Sequence, residues 1–487
     1  MRSRWLFLVF VAVVFGWLWT PGFVGFALGA SSSEARVFRP VLERVGEARL
    51  WRVSVEARLE SWWWGAGRAE GGWGRDALRE LGWVEMALPV GVETKQSAAL
   101  RDSARAEVRV GDIVIGRSSS VVEGSGAGGG LARVRVDRFD EIRGGEALVG
   151  SVVYEVVSSR LDIDEGLAAG VSWVARGEWD GFGEHVAAAM EPSVLIESDD
   201  EVVTELVQRW TGGEPRRVKP YVLAKHLARR VMESYELRDT DEGVGRVCGG
   251  RYVGGPARER WFTRRDPVTG ESRREFGIKP SLRPAVSEFS FNALSGESAA
   301  AVARAGRGSE FGIHNLLCAV YRAAGLPARV VLGFDDRGAV SREPMSVVSW
   351  VEFFLAQPGT GRGEWVPVDI VRQEEASGRA PALDVPWPFF GRMRDGDRRA
   401  AVAVGWTVGE SGPQRFSRAQ RRGDVGMLWG WSDSAVEGAW PWLTKYRTFP
   451  SFGPRPVDRV DRERIRRAQR RVDLGVGGRV GVSAGGP

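Results

Sequence analysis

Residues Gly306–Val331 read GRGSEFGIHNLLCAVYRAAGLPARVV, and the rest of the chain can be organised around them. A Gly-Arg-Gly turn leads through Ser309 into a run in which Leu316, Leu317, Val320, Tyr321 and Ala324 recur at helical spacing. Gly325 supplies a C-cap, Leu326-Pro327 stops the helix, and Ala328 to Phe334 resumes as a strand. The only cysteine in the stretch, Cys318, sits in the middle of the helix. A Gly-rich turn entering an apolar helix leaves open whether Cys318 is a nucleophile or a packing residue.

Downstream, Val347 to Leu355 and Trp365 to Ile370 are two further strand candidates. Upstream, Ser198 and Glu201 have capping-box spacing before an apolar face of Val202, Val203, Leu206, Val207 and Trp210. Pro220 then opens a second helix with Leu223, Leu227, Val231 and Tyr235 four apart. Helices first and an antiparallel sheet after make an α+β unit over about 190–380. It is interrupted by a Gly-, Arg- and Pro-rich surface insertion at about 238–284.

The first half has a two-residue beat instead. Trp51, Val53, Val55, Ala57 and Leu59 alternate with polar neighbours, and the beat returns in Ala104–Val110, Ala132–Val136 and Ala147–Val157. An N-terminal antiparallel β-sandwich-like domain over 35–185 is expected. Past Pro381 a β-rich extension runs to 455, and 456–487 is an Arg-rich segment without a clean apolar stripe, read as a solvated helix or a flexible tail. A contact of that charge run with an anionic surface is a further reading. Trp62-Trp63-Trp64 and Trp429 to Trp442 read as core or sandwich-edge packing, with a peptide- or glycan-binding surface as the alternative.

Composition narrows the function classes. A net charge of +5 spread over 68 basic and 63 acidic residues is too dilute to argue for nucleic acid. Two cysteines, Cys248 and Cys318, cannot form a disulfide framework, although they could pair once. Met1-Arg2-Ser3-Arg4 followed by an apolar stretch from Trp5 reads as a signal peptide or membrane anchor over 1–30, with a small-x-small site at Ala27-Leu28-Gly29. The chain is therefore expected to be exported, periplasmic or extracellular, and to meet a membrane only through this segment if it is retained.

The segments EPSVLIESDDEVVTELV, GRGSEFGIHNLLCAVYRAAGLPARVVLGF and VVSWVEFFLAQPGTGRGEWVPVDI together resemble bacterial transglutaminase-like proteins, in order and spacing, over residues 190–372. The resemblance implies a papain-like fold. In it a Cys at a helix N-terminus is activated by a His on one strand and oriented by an Asp on the next, because a helix N-terminus lowers a thiol pKa and the carboxylate fixes the imidazole.

Carried over residue by residue, the pattern is degenerate. The Cys position lies twelve residues before Arg322 and is Glu310; the His position, two before Trp350, is Val348; the Asp position is Asp369. Cys318 stands eight residues beyond Glu310, about 12 Å along a helix axis, and reads as a buried structural thiol. Ser309 lacks a base. Glu310 and His314 share a helical face, but a third ligand is not evident, so no metal and no cofactor are expected. Glu310 reads as a favourable charge at the helix N-terminus, His314 as a satisfied, partly buried histidine, and Asp369 as a partner for Arg329 or Arg372. The resulting expectation is a catalytically inactive envelope module that binds a peptide or protein segment in its cleft. The alternative is an acyl-transfer enzyme with an atypical nucleophile.

Overall fold

Strand β1 (Leu42–Trp62) shows how the first half is built: Val53 and Val55 point inward while Arg52 and Glu56 point out. With β3 (Ser97–Val110), β4 (Ile113–Ser118), β7 (Leu148–Ile163) and the late strand β13 (Leu443–Arg455) it forms a sheet of order β13-β1-β7-β3-β4. A second sheet, of order β12-β2-β6-β5, contains β2 (Val84–Val90), β5 (Val121–Glu123), β6 (Gly130–Val136) and β12 (Gly430–Asp433). All the pairings in both sheets are antiparallel. Met86, Leu88, Val134 and Val136 of one sheet share a core with Val53, Val55, Val152 and Tyr154 of the other. The sheets approach so closely at Gly150 that a Cβ there would stand 2.7 Å from the Met86 sulfur.

The structure is a computed structural model. It describes residues 38–475 apart from 63–82, 119–120, 124–129, 138–147, 176–177, 194, 238–246, 249–250, 253–259, 266–271, 278–292, 296, 336–345, 406–424, 428–429, 434–442 and 456. The N-terminal 1–30 segment, most of the 238–284 insertion, and Trp63, Trp64, Trp429, Trp440 and Trp442 lie outside the described residues.

The second half contains the helices α1 (Glu201–Thr211), α2 (Pro220–Ser234), α3 (Ala299–Ala305) and α4 (Glu310–Ala323). Four antiparallel strands follow in the order β10-β9-β8-β11: β8 (Ala328–Asp335), β9 (Ser346–Gln357), β10 (Arg362–Val368) and β11 (Arg399–Val404). Between β10 and β11 lies α5 (Ile370–Ser377). Helix α4 is buried from Glu310 to Arg322, because its apolar stripe packs into the sheet while α1, α2 and α3 cover its remaining sides. Gly312 permits the contact with α3, since a Cβ there would fall 2.8 Å from Val302 and 2.9 Å from the Glu297 carboxylate.

The cap of α1 differs from expectation. Asp200, not Ser198, is the N-cap and accepts from the Val202 amide at 3.0 Å. Asp200 is also ion-paired with Arg304 of α3 at 2.8 Å, and Ser198, two residues before the cap, is buried.

One apolar cluster runs from Val41 through Leu316 and Phe353 to Val402, so it crosses the boundary expected near 185–190. The strand pairing crosses the one expected at 380, because β11 completes the second-half sheet and β13 returns to β1. In the Arg-rich tail the helical alternative holds over Arg459–Gly475, but its inner side is packed and not solvated. Residues Arg459–Gly475 form helix α6, which buries Ile465, Ala468 and Val472 against Leu50, Ala98, Leu100 and Val157. Three apolar residues at i, i+3 and i+7 are enough to seat it when ion pairs flank them: Arg464 with Glu155 at 2.8 Å, Arg471 with Glu93 at 2.5 Å and Asp473 with Arg44 at 2.8 Å.

Candidate functional site

The mouth of α4 is built from its first turn. Ser309 is the N-cap, its hydroxyl accepting from the Gly312 amide at 3.2 Å while its own amide donates to Glu297 at 2.6 Å. Glu310 is therefore the first helical residue and not the cap. Its side chain crosses to β9, where Oε1 accepts from the main-chain amide of Ser349 at 2.9 Å.

One turn deeper, His314 is fully buried between a strand hydroxyl and a carboxylate. Nδ1 lies 2.8 Å from Ser349 Oγ, and Nε2 lies 3.4 Å from Asp369 Oδ1. The second distance is long for a hydrogen bond, and Nε2 makes no shorter contact, so this is an electrostatic contact of a buried ring nitrogen. The Asp369 carboxylate can only accept, so a proton on Nε2 would face it and leave Nδ1 to accept from the Ser349 hydroxyl.

Asp369 closes the cluster. Oδ1 accepts from the Arg372 amide at 2.9 Å as the N-cap of α5, and Oδ2 accepts from Arg399 at 2.7 Å. Burial alone would raise its pKa, but the Arg399 guanidinium, with His314 and the Arg372 amide, holds the carboxyl well below the usual range. Arg399 has no solvent exposure and stands among three carboxylates: Asp369, Asp395 at 3.2 Å and Asp335 at 3.5 Å. Those carboxylates outweigh burial and raise its pKa.

Of the three positions singled out in the sequence, Glu310 and Asp369 lie on the α4 side of the sheet and are linked through Ser349 and His314. Val348 takes the opposite strand face and packs with Val92, Val331, Trp350, Met393 and Ala401. Strand alternation decides this: Ser349, Val351 and Phe353 face α4 while Val348 and Trp350 do not.

Neither partner expected for Asp369 holds its free oxygen. Arg329 pairs with Glu352 at 2.6 Å and stacks 4.1 Å from the Trp365 ring, and the Arg372 side chain goes to Asp395 and Glu375. Arg399, thirty residues on, does so instead. Its only sequence signal is an arginine directly before the apolar run Ala400–Val404. His314 is fully rather than partly buried. Cys318 is a free, fully buried thiol; burial pushes its pKa up and Arg322 only partly opposes this. His226 meets the Trp210 carbonyl at 3.0 Å, away from the cluster.

Hydroxyl, imidazole and carboxylate thus stand in relay order, but the relay is enclosed. Ser349 and His314 have no exposure, Asp369 2% and Glu310 6%. The Ser349 amide, the nearest donor for an oxyanion, is already taken by Glu310. Among the described residues no group of His, Cys, Asp and Glu forms a metal site.

Residues 285–370 match the family model of the transglutaminase-like superfamily. No curated protein matches the chain. Among solved structures the chain is similar to a protein proposed to be a cysteine protease from Cytophaga hutchinsonii, at 11% identity, covering 86% of this chain and 94% of that one, with a TM-score of 0.39. It is also similar to the periplasmic domain of TgpA from Pseudomonas aeruginosa, at 14% identity, covering 68% and 92%, with a TM-score of 0.24. At such TM-scores neither likeness bears on the chemistry.

Proposed function

We propose that this chain, whose residues 285–370 match the transglutaminase-like superfamily, is an exported, catalytically inactive protein of that kind, a peptide- or protein-binding module of the cell envelope. The observation that carries the reading is the Glu310 carboxylate at the first position of α4, hydrogen-bonded to the Ser349 amide at 2.9 Å. A carboxylate where the family's thiol belongs is a poor acyl acceptor, and here it ties helix to strand. Both side chains weighed as atypical nucleophiles are otherwise engaged, Ser309 as the helix cap and Cys318 in the core.

Export rests on the basic and then apolar sequence of the first 30 residues. Among the described residues no helix is long and apolar enough to cross a membrane.

The test is an assay of the purified chain with glutamine-containing peptides, an amine acceptor and a panel of unstructured peptides. The expected result is no ammonia release, cross-link or cleavage above the blank, together with retention of a subset of the peptides. Turnover that disappears in Glu310→Gln would overturn the proposal.

One distance favours a second reading: Ser349 Oγ stands 2.8 Å from His314 Nδ1. An acyl-transfer enzyme using Ser349 would be labelled by a fluorophosphonate in its folded state, and Ser349→Ala would abolish the label.

A further inference from the structure

Helix α6 has two faces of different chemistry. The inner face carries Ile465, Ala468 and Val472 into the apolar contact with the first sheet. The arginines at its margins are neutralised by the body of the protein, Arg464 by Glu155 and Asp102 and Arg471 by Glu93. The outer face is different: Arg459, Arg462, Arg466, Arg467 and Arg470 are all exposed, the third and fifth of them 68%.

The carboxylate within this stripe is Glu463, which lies 3.9 Å from Arg466 and 3.3 Å from Arg470. Asp458, just before the helix, accepts from the Asp461 amide at 2.8 Å. Arg459, Arg462 and Arg467 have no carboxylate partner among the described residues. Five cations therefore lie along about 16 Å of helix with one anion, Glu463, among them and a second, Asp458, exposed just before the first.

We infer that this face docks onto an anionic phospholipid surface. A row of guanidinium groups fits an extended plane of phosphates, each of which an arginine can engage with two donors. The apolar face of α6 is occupied by Leu50, Ala98, Leu100 and Val157, which leaves Val460, 67% exposed at the start of the helix, as the large apolar side chain it presents to solvent among the described residues. The attachment is peripheral and electrostatic, hence strongly weakened by salt. The choice of phospholipid over nucleic acid rests on the export reading above; the binding measurement itself is independent of whether the chain is an enzyme.

The test is co-sedimentation of the full chain with vesicles of about one-third phosphatidylglycerol, or of phosphatidylcholine alone, at low and at physiological ionic strength. The apolar N-terminal segment contributes to both vesicle types, so the readout is the anionic-to-neutral ratio. Each cation near such a surface contributes about a fivefold gain in partitioning. Wild type should show a ratio of about tenfold or more at low salt, falling steeply as salt rises.

The triple variant Arg462→Gln, Arg466→Gln, Arg470→Gln should lose most of this ratio. Lysine at the same three positions should keep it within about threefold, since the charge is retained. Unchanged unfolding midpoints show that both variants fold. Equal binding to both vesicle types by wild type, or a ratio untouched in the glutamine variant, would overturn the inference. So would capture of duplex DNA, at an ionic strength where the vesicles stay free of protein.

Discussion

Glu310 Oε1 accepts the main-chain proton of Ser349 across 2.9 Å, fastening the first turn of helix α4 to strand β9. The bond is buried, since Glu310 is 6% exposed and Ser349 not at all. A polar link in such surroundings is worth more in its breaking than in its making, because the partner left behind loses both protein and solvent contacts.

Glu310→Ala should therefore destabilise the fold by about 2 kcal/mol, as the Ser349 amide is stranded without an acceptor. Glu310→Gln keeps an acceptor oxygen and should cost about half as much. Urea unfolding of the two variants measures the difference. Equal losses would mean that charge at the helix N-terminus, and not the bond to Ser349, is what Glu310 supplies.

Asp369→Asn should cost about 3 kcal/mol or more, because Arg399 is left in the core with one of its three carboxylates gone. The pH dependence follows from the folded carboxyl being held well below its unfolded value, despite burial, by Arg399 and His314. Its contribution is complete above the unfolded pKa of about 3.9 and is lost as pH falls from there through the folded value. The acid limb of the wild-type stability curve should be steeper below about pH 4 than that of the variant. Parallel acid limbs would remove Asp369 from the account of acid unfolding.

Cys318 should react with a thiol reagent only as fast as the protein unfolds, since its thiol is buried and its pKa raised. In a Cys248→Ser background the modification rate should track the global unfolding rate as urea is added. Rapid labelling without denaturant would mean that the core of α4 opens locally.

Ile465→Ala should reduce stability by about 2 kcal/mol, because Ile465 packs against Leu50, Ala98, Leu100 and Val157. Limited proteolysis should then release a C-terminal fragment that wild type retains. A silent substitution would return residues 459–475 to the solvated helix or flexible tail that their composition allows.

Much of the architecture is legible in the chain because it rests on local periodicity. The two-residue beat in β1, β3, β6 and β7 and the stripe of α4 each follow from which side chains must leave water. Helix α6 is the exception. Its stripe is only three residues wide, and its ion-pair partners Glu155, Glu93 and Arg44 are more than 300 residues away in sequence.

The site divides in the same way. Residue counting alone places Glu310 at the mouth of a buried helix and Asp369 at the end of a strand, and it puts Cys318 too deep to serve as a mouth residue. These are matters of counting along one element, where the rise per residue is constant. It takes the folded packing to show that Ser349 rather than Val348 faces the helix, that His314 approaches Asp369 from the helix, and that Arg399 holds the remaining carboxylate oxygen. Each of these depends on strand register and on which faces meet, and long-range packing sets both.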